Sequence, residues 1–412
     1  MRIVYVSAVG VIGGAERALL TLLGGVRELG APVEAHALLG ADGPLQQALQ
    51  KLDVRVEVLP LPQAAARVGD SGTARSLGTW WNVSRRLLLA APGLARYLSD
   101  LKRRLRGLRP DIVHSNSLKS HVVTALARPP AVPLAWHMHD FLTARPVLAT
   151  VLRRLRHRAA LALAVSASVA EDVQRVLSPV PVELLPNAVD PRQFCAQGPV
   201  ADLDALAGLP PAPPGLVRVG LVATYARWKG QEVFLQAAAR LPADRHVRFY
   251  VVGGPLYQPP QSQWSRVELE QLARAAGLEG RVGFVAFQPD PAPVYRALDI
   301  VVHASTQPEP FGLTIVEAMA CGRCVVASKA GGAAELFRDG IEAIGVEPAS
   351  PARLAEVLQQ LLDDPCRRHR LQQSACQAAQ RFDPRPAAQK LLAIYHTLMN
   401  MPRPSSRIRV NS

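Results

Sequence analysis

Between positions 299 and 336 the sequence alternates twice between an apolar run and a glycine-bounded helix, and few folds accept that alternation. Asp299-Ile-Val-Val-His303 reads as a buried strand. Gly312 opens a short apolar helix that closes near Ala320-Cys-Gly322. Cys324-Val-Val-Ala-Ser328 is a second strand, and Gly331-Gly332 turns the chain into a helix at Ala333-Ala-Glu-Leu336. Strand, loop, helix, strand, glycine turn and helix together are the grammar of a doubly wound α/β sheet. Ligands of such sheets bind at the carboxyl ends of the strands, where helix N-termini turn backbone N–H groups toward phosphates. Two carboxylates, Glu309 and Glu317, flank the Gly312 turn. Beside an anion site they are read as acceptors for hydroxyls, as on a sugar and a ribose.

The same rhythm runs through the rest of the chain. Ile3–Val6, Val33–Leu39, Val54–Val58, Ile112–His114, Leu134–His137 and Leu163–Ser166 read as strands, with Gly13-Gly14 leading into a helix from Ala18 to about Leu29. Asp111 to Asn116 and Trp136 to Asp140 are read as strand ends that deliver polar side chains. After the proline-rich Leu209-Pro-Pro-Ala-Pro-Pro-Gly215 the alternation restarts. Strands are expected at Val217–Ala223, Phe249–Gly253 and Val282–Val285, and helices at Gln231–Ala239 and Glu268–Ala276. The expected class is α/β with two tandem Rossmann-like domains. Residues 1–190 form the first, 191–215 a stiff linker and 216–385 the second; 401–412 is a basic tail without order.

Composition sets the outer limits. Of 412 residues, 49% are hydrophobic and 19% charged, which suits a chain with a large core. Lys and Arg number 47 against 33 Asp and Glu, a formal charge of +14 that favours phosphate-bearing partners or an anionic surface. Zinc-finger spacing and an aromatic-basic stacking strip are both missing, so nucleic acid is not the expected partner. Five cysteines make no disulfide framework. Cys321-Gly-Arg-Cys324 has redox spacing, but its place at a helix end and a strand start favours structural thiols. The N-terminus lacks the apolar core of a signal peptide, and no apolar run reaches the roughly 18 residues of a membrane span.

Arg227-Trp-Lys229-Gly230 follows the first strand of the second half, where two cations suit a diphosphate. His137-Met-His139-Asp140 follows a strand in the first half; its H-x-H spacing is open to metal, structural and substrate-contact readings. No Asp-x-Asp triplet reads as a metal–nucleotide motif.

Phe311-Gly312, Ala320-Cys-Gly322 and Gly331-Gly332 around the paired glutamates resemble the E-x7-E signature of the family 4 glycosyltransferases, which are retaining, metal-independent enzymes of the GT-B fold. The resemblance runs from Met1 to the region of Tyr395. It implies a cleft between the two domains and a last helix, 386–400, that crosses back onto the first. It implies a nucleotide sugar, UDP- or GDP-linked, as donor and a glycan or lipid-linked acceptor in polysaccharide or cell-envelope synthesis, with no cofactor. The implied catalytic residues are His139, Lys229, Arg227 and Glu309, with His139 a polar contact to the sugar. Donor contacts fall to Gly13, Gly14, Gly312, Leu313, Thr314 and Glu317, the last on the ribose. Lys229-Gly230 matches the family's Lys-Gly. The family's arginine five positions earlier is Thr224 here, and Arg227 is expected to take over its task. The second histidine of a frequent family His-x-His is Asn116, and Asn187 stands in a Pro-Asn junction with a structural role.

The stretch 85–109 interleaves Arg85, Arg86, Arg96, Lys102, Arg103, Arg104, Arg106 and Arg109 with apolar residues, and Arg153, Arg154, Arg156 and Arg158 form a second cluster. Two readings stay open: a solvated helix face whose apolar stripe packs on the sheet, and contact with an anionic membrane. The second would put the chain at the inner face of the cytoplasmic membrane; without it, the chain is expected in the cytoplasm. Two rivals to the enzyme remain, a non-catalytic nucleotide-sugar-binding protein and a Rossmann dehydrogenase. The dehydrogenase lacks a G-x-G-x-x-G after its first strand.

Overall fold

The computed structural model describes residues 1–62, 77–255 and 262–400, the side chains of 77–90 excepted. The expectation for the tail 401–412 and the side chains of Arg85 and Arg86 lie outside the described residues. The chain divides into two compact units, one of Met1–Pro186 with the chain from Pro384 on, the other Asn187–Asp383.

The first unit holds strands β1 (Arg2–Ser7), β2 (Glu34–Leu39), β3 (Arg55–Val58), β4 (Ile112–Ser115), β5 (Leu134–Met138), β6 (Leu161–Ala164) and β7 (Val182–Leu184). They form a parallel sheet in the order β3-β2-β1-β4-β5-β6-β7. The second unit holds β8 (Val217–Val222), β9 (Val247–Gly253), β10 (Val282–Ala286), β11 (Ile300–His303), β12 (Cys324–Ser328) and β13 (Ile344–Val346), parallel in the order β10-β9-β8-β11-β12-β13. Continuous apolar runs such as Ile300–His303 are buried throughout, as strands with both faces covered require. In each sheet the order reverses once. Ile3 of β1 pairs with Ile112 of β4, and Val219 of β8 with Ile300 of β11. Crevices at such switch points are where open α/β sheets hold ligands.

The core of the first unit joins Ile3, Tyr5, Leu19, Leu23 and Ile112 to Leu391, Tyr395 and Leu398 of the last helix, Pro384–Asn400. That helix lies on Gly14–Glu28, and Gly25 permits the approach: a Cβ there would sit 2.7 Å from the Pro384 carbonyl oxygen. The core of the second unit gathers Val219, Phe234, Phe249, Ile300, Val326 and Leu358.

Several local expectations are corrected. The stretch 191–215, expected as a stiff linker, is part of the second unit. It carries the helix Leu203–Ala207, capped by Asp202, and Asp204 is buried against Arg218, Arg248, Tyr250 and the Ala212 N–H. Gly332–Glu335 is a 3-10 turn, not an α-helix. Asp111 lies before β4, at the opposite end from the site, and accepts from the Arg2 N–H.

The basic stretch belongs to the helix Leu77–Leu108. Tyr97, Leu101 and Leu105 are buried, while Arg96, Lys102, Arg103, Arg104 and Arg106 are exposed. In this half, then, the apolar stripe packs inward and the outer face is charged. Cys321 and Cys324 are buried and unbonded, and burial pushes both thiols up to about 12. No helix among the described residues is long and apolar enough to cross a membrane.

Candidate active site

In the second unit the site assembles from the loops that follow the two strands at the switch point. After β8 the chain makes a 3-10 turn, Arg227–Lys229, and Gly230 caps it at φ +80°. A Cβ on Gly230 would meet the Ala304 carbonyl oxygen at 1.8 Å, so only glycine lets this turn lie against the chain leaving β11. The Thr306 N–H donates to the Trp228 carbonyl at 2.8 Å and ties the two loops together.

That approach brings Lys229 onto Glu309. The ammonium donates to Oε2 at 2.7 Å and to Oε1 at 2.9 Å. Ser305 donates its hydroxyl to Oε2 at 2.9 Å, and His303 Nε2 lies 3.1 Å from the same oxygen. Glu309 is only 7% exposed. Burial pushes its carboxyl up, but the Lys229 charge and the His303 hydrogen bond outweigh that and hold it below the usual carboxylate range. The result is a buried, ionised carboxylate with fixed partners. Its backbone is fixed too: Glu309 bridges to Gly331, and a Cβ on Gly331 would lie 2.7 Å from the Glu309 carbonyl oxygen. The second glycine pair of the sequence thus supports the first glutamate.

Gly312, at φ +105°, is the N-cap of the helix Leu313–Ala320, and its first turn holds Leu313 and Thr314. Glu317 lies within that helix, 3% exposed, and accepts the Tyr295 hydroxyl at 2.8 Å. Arg227 turns elsewhere. Its guanidinium stacks 3.7 Å over the Trp264 ring and bonds Glu268, which also accepts the N–H of Ser265, the N-cap of the helix Arg266–Ala275. The structure therefore brings Lys229 and Glu309 together and places Arg227 against a neighbouring helix. Thr224, in the place of the family's arginine, gives its carbonyl to the Gln231 amide.

In the first unit the loops after β1, β4 and β5 meet. Gly13 is the N-cap of Gly14–Glu28, and Glu16 reaches back to accept its N–H at 3.2 Å, the half of a capping box that a glycine permits. The Asn116 amide donates to the Ala15 carbonyl at 3.0 Å, so its Oδ1 faces His139 Nε2, also at 3.0 Å. Desolvation lowers the His139 pKa to about 3, which leaves the ring neutral. Because Asn116 Oδ1 can only accept, Nε2 carries the proton and Nδ1 keeps its lone pair. His137 sits behind it, rings 4.1 Å apart, and continues to His114 at 3.3 Å and on to the Tyr395 hydroxyl at 2.8 Å. Asn116, which departs from the family pattern, is what orients His139. No group of residues able to hold a metal occurs among the described residues.

Three residues of these sites escaped the sequence reading. His303 and Ser305 were legible only as a polar interruption at the end of an apolar strand. Glu16 had a signal, the capping-box spacing after Gly13. Burial raises its pKa to about 7, against the hydrogen bonds from Gly13 and Ser7 that lower it.

A family model for glycosyl transferases group 1 matches residues 212–378, and one for Glycosyltransferase Family 4 matches 12–193. D-inositol 3-phosphate glycosyltransferase of Corynebacterium kroppenstedtii is 39% identical over 186 residues, 43% of this chain and 40% of that one. A namesake from Catenulispora acidiphila is 39% identical over 178 residues, 42% of each. The aligned stretch thus spans under half the length of these curated relatives. HepE of Anabaena, crystallised with UDP and glucose, superposes with a TM-score of 0.75 at 27% identity, over 96% of this chain and all of that one. The lipopolysaccharide glycosyltransferase WaaG shares the fold, with a TM-score of 0.65 at 18% identity, over 95% of this chain and 99% of that one.

Proposed function

Because the chain belongs to the family 4 glycosyltransferases, we propose that it moves a sugar from a nucleoside diphosphate, with retention and without a metal, onto a glycan or lipid-linked acceptor. The observation that carries this is the buried Lys229–Glu309 pair at the β8/β11 switch point. A diphosphate leaving group needs a fixed positive charge, and a sugar needs fixed acceptors for its hydroxyls. Lys229 and Glu309 are one of each.

In this reading Lys229 meets the diphosphate as a point charge, and the N–H groups at the start of Leu313–Ala320 add the helix terminus. A preorganised donor at developing charge is typically worth about 10²–10³ in kcat. Glu309 accepts a hydroxyl of the transferred sugar, and Glu317 serves the ribose with its Tyr295 partner. His139 offers its bare Nδ1 to a substrate hydroxyl. Arg227 reaches the phosphates only by leaving Glu268. The leaving phosphate takes the proton of the acceptor hydroxyl on the face from which it departs.

UDP is the favoured nucleotide, because HepE is a 27% identical neighbour with UDP and glucose bound. GDP remains the competitor in the test. Work at the inner face of the cytoplasmic membrane fits the exposed cations of 96–106, through charge rather than insertion, since Tyr97, Leu101 and Leu105 are buried.

The test is transfer itself. The chain is incubated with UDP- and GDP-sugars and with glycan, lipid-linked and inositol-phosphate acceptors, and product is followed by mass and anomeric proton couplings. Product with the donor's own anomeric configuration is expected. Donor binding without product from any acceptor would favour the non-catalytic reading.

A further inference from the structure

Glu309 is held unevenly. Ser305 Oγ donates to Oε2 at 2.9 Å and His303 Nε2 lies 3.1 Å from it, while Ser305 Oγ and His303 Nε2 are themselves 3.1 Å apart. On Oε1 the side-chain partner is Lys229, at 2.9 Å. His303 ends β11 and Ser305 lies two residues beyond it, and they are 6% and 1% exposed; Lys229 comes from the turn after β8 and is less buried. Two partners are therefore rigid and bind one oxygen, and the third is a flexible four-carbon arm that reaches both.

We propose that His303 and Ser305 are positioning residues for glycosyl transfer: they hold Oε2 of Glu309 in place while Oε1 turns to a sugar hydroxyl and Lys229 to the diphosphate. The inference rests on the transferase reading above. Its physical basis is that Lys229 cannot spend its full charge on Glu309 and on a diphosphate at once. When the ammonium shifts, a buried carboxylate with no other donors would take up a proton or rotate. Ser305 and His303 keep it ionised and aimed without contacting the donor themselves. The charged and titratable groups acting on this carboxylate are Lys229 and His303.

The experiment compares wild type with Ser305→Ala, Ser305→Thr and His303→Phe. It reads UDP affinity, thermal unfolding and the pH profile of donor turnover. UDP carries no sugar, so its binding reports the diphosphate site and is expected to stay within about twofold in every variant that folds. The kcat of Ser305→Ala and His303→Phe is expected to fall by roughly 10–100-fold. The loss is expected in kcat and not in UDP affinity, across the pH range in which the variants stay folded. Ser305→Thr keeps the hydroxyl and should restore kcat. Variants that bind UDP and turn over donor with wild-type kcat overturn this inference alone. A wild type that turns over no donor overturns the transferase reading with it.

Discussion

The Lys229 ammonium lies 2.7 and 2.9 Å from the two oxygens of Glu309. The cation proposed for the leaving group and the anion proposed for the sugar are thus each other's partner, and the cation helps to hold the anion ionised. Substituting either one alone should therefore cost stability as well as function.

Lys229→Met keeps the aliphatic stem and leaves a carboxylate that is 7% exposed without its cation, with Ser305 and His303 as its remaining partners. Removing one member of a buried pair costs about 3 kcal/mol or more. The single variant should unfold at correspondingly lower urea, with UDP affinity lost. Lys229→Met with Glu309→Gln should recover much of the stability but not the binding. A single variant as stable as wild type would mean that the pair is not closed in solution.

The glycines of the site are held by backbone contacts rather than by flexibility. Gly230→Ala puts a Cβ 1.8 Å from the Ala304 carbonyl oxygen at φ +80°, and Gly331→Ala one 2.7 Å from the Glu309 carbonyl oxygen at φ +66°. The left-handed backbone alone costs about 1–2 kcal/mol, and the clash adds to it. Both variants should lose transfer, with Gly230→Ala the less stable in thermal unfolding. Gly277→Ala, also left-handed but with nothing within 4 Å, is the control and should lose stability while keeping activity.

His114, His121 and His137 are fully buried, and desolvation lowers all three below the ordinary imidazole value near 6.5, His114 to about 3. They are neutral in the fold and charge on unfolding. The unfolded chain binds more protons below pH 6.5, so stability is full above that pH and falls as pH drops toward 3. The slope is up to about 1.4 kcal/mol per pH unit for each histidine. Urea unfolding at pH 7, 6 and 5 should show the midpoint falling. Replacing His121 with Phe should flatten the slope, and a midpoint independent of pH would contradict the neutral cluster.

Asp204 anchors the proline-rich stretch. Asp204→Ala leaves Arg218 and Arg248 facing each other beneath it and should cost about 3 kcal/mol. It should also expose the peptide bonds around 203–215 to protease. A protease-resistant variant would mean that proline stiffness, not the ion cluster, holds the segment.

Much of the frame was legible because parallel strands buried on both faces are written as uninterrupted apolar runs. Ile300–His303 and Cys324–Ser328 could hardly be read otherwise. Glycine spacing placed Gly230, Gly312 and Gly331 at the turns because each must adopt a positive φ or admit a carbonyl. What stayed hidden depended on how the loops fold back onto their partners. Nothing near Arg227 announces that Trp264 and Glu268 will take its guanidinium, and nothing near Glu309 that His303 and Ser305 will share one oxygen. The short strands β7 and β13 carry three residues each, too few for periodicity to register.

The most direct test of the central claim is slow donor hydrolysis. Wild type and Glu309→Ala are given a panel of UDP- and GDP-sugars in EDTA, and released nucleoside diphosphate is measured. The account predicts release from one donor, undiminished by EDTA and lost in Glu309→Ala while UDP still binds. Release that continues in the variant, or that requires added metal, would contradict it.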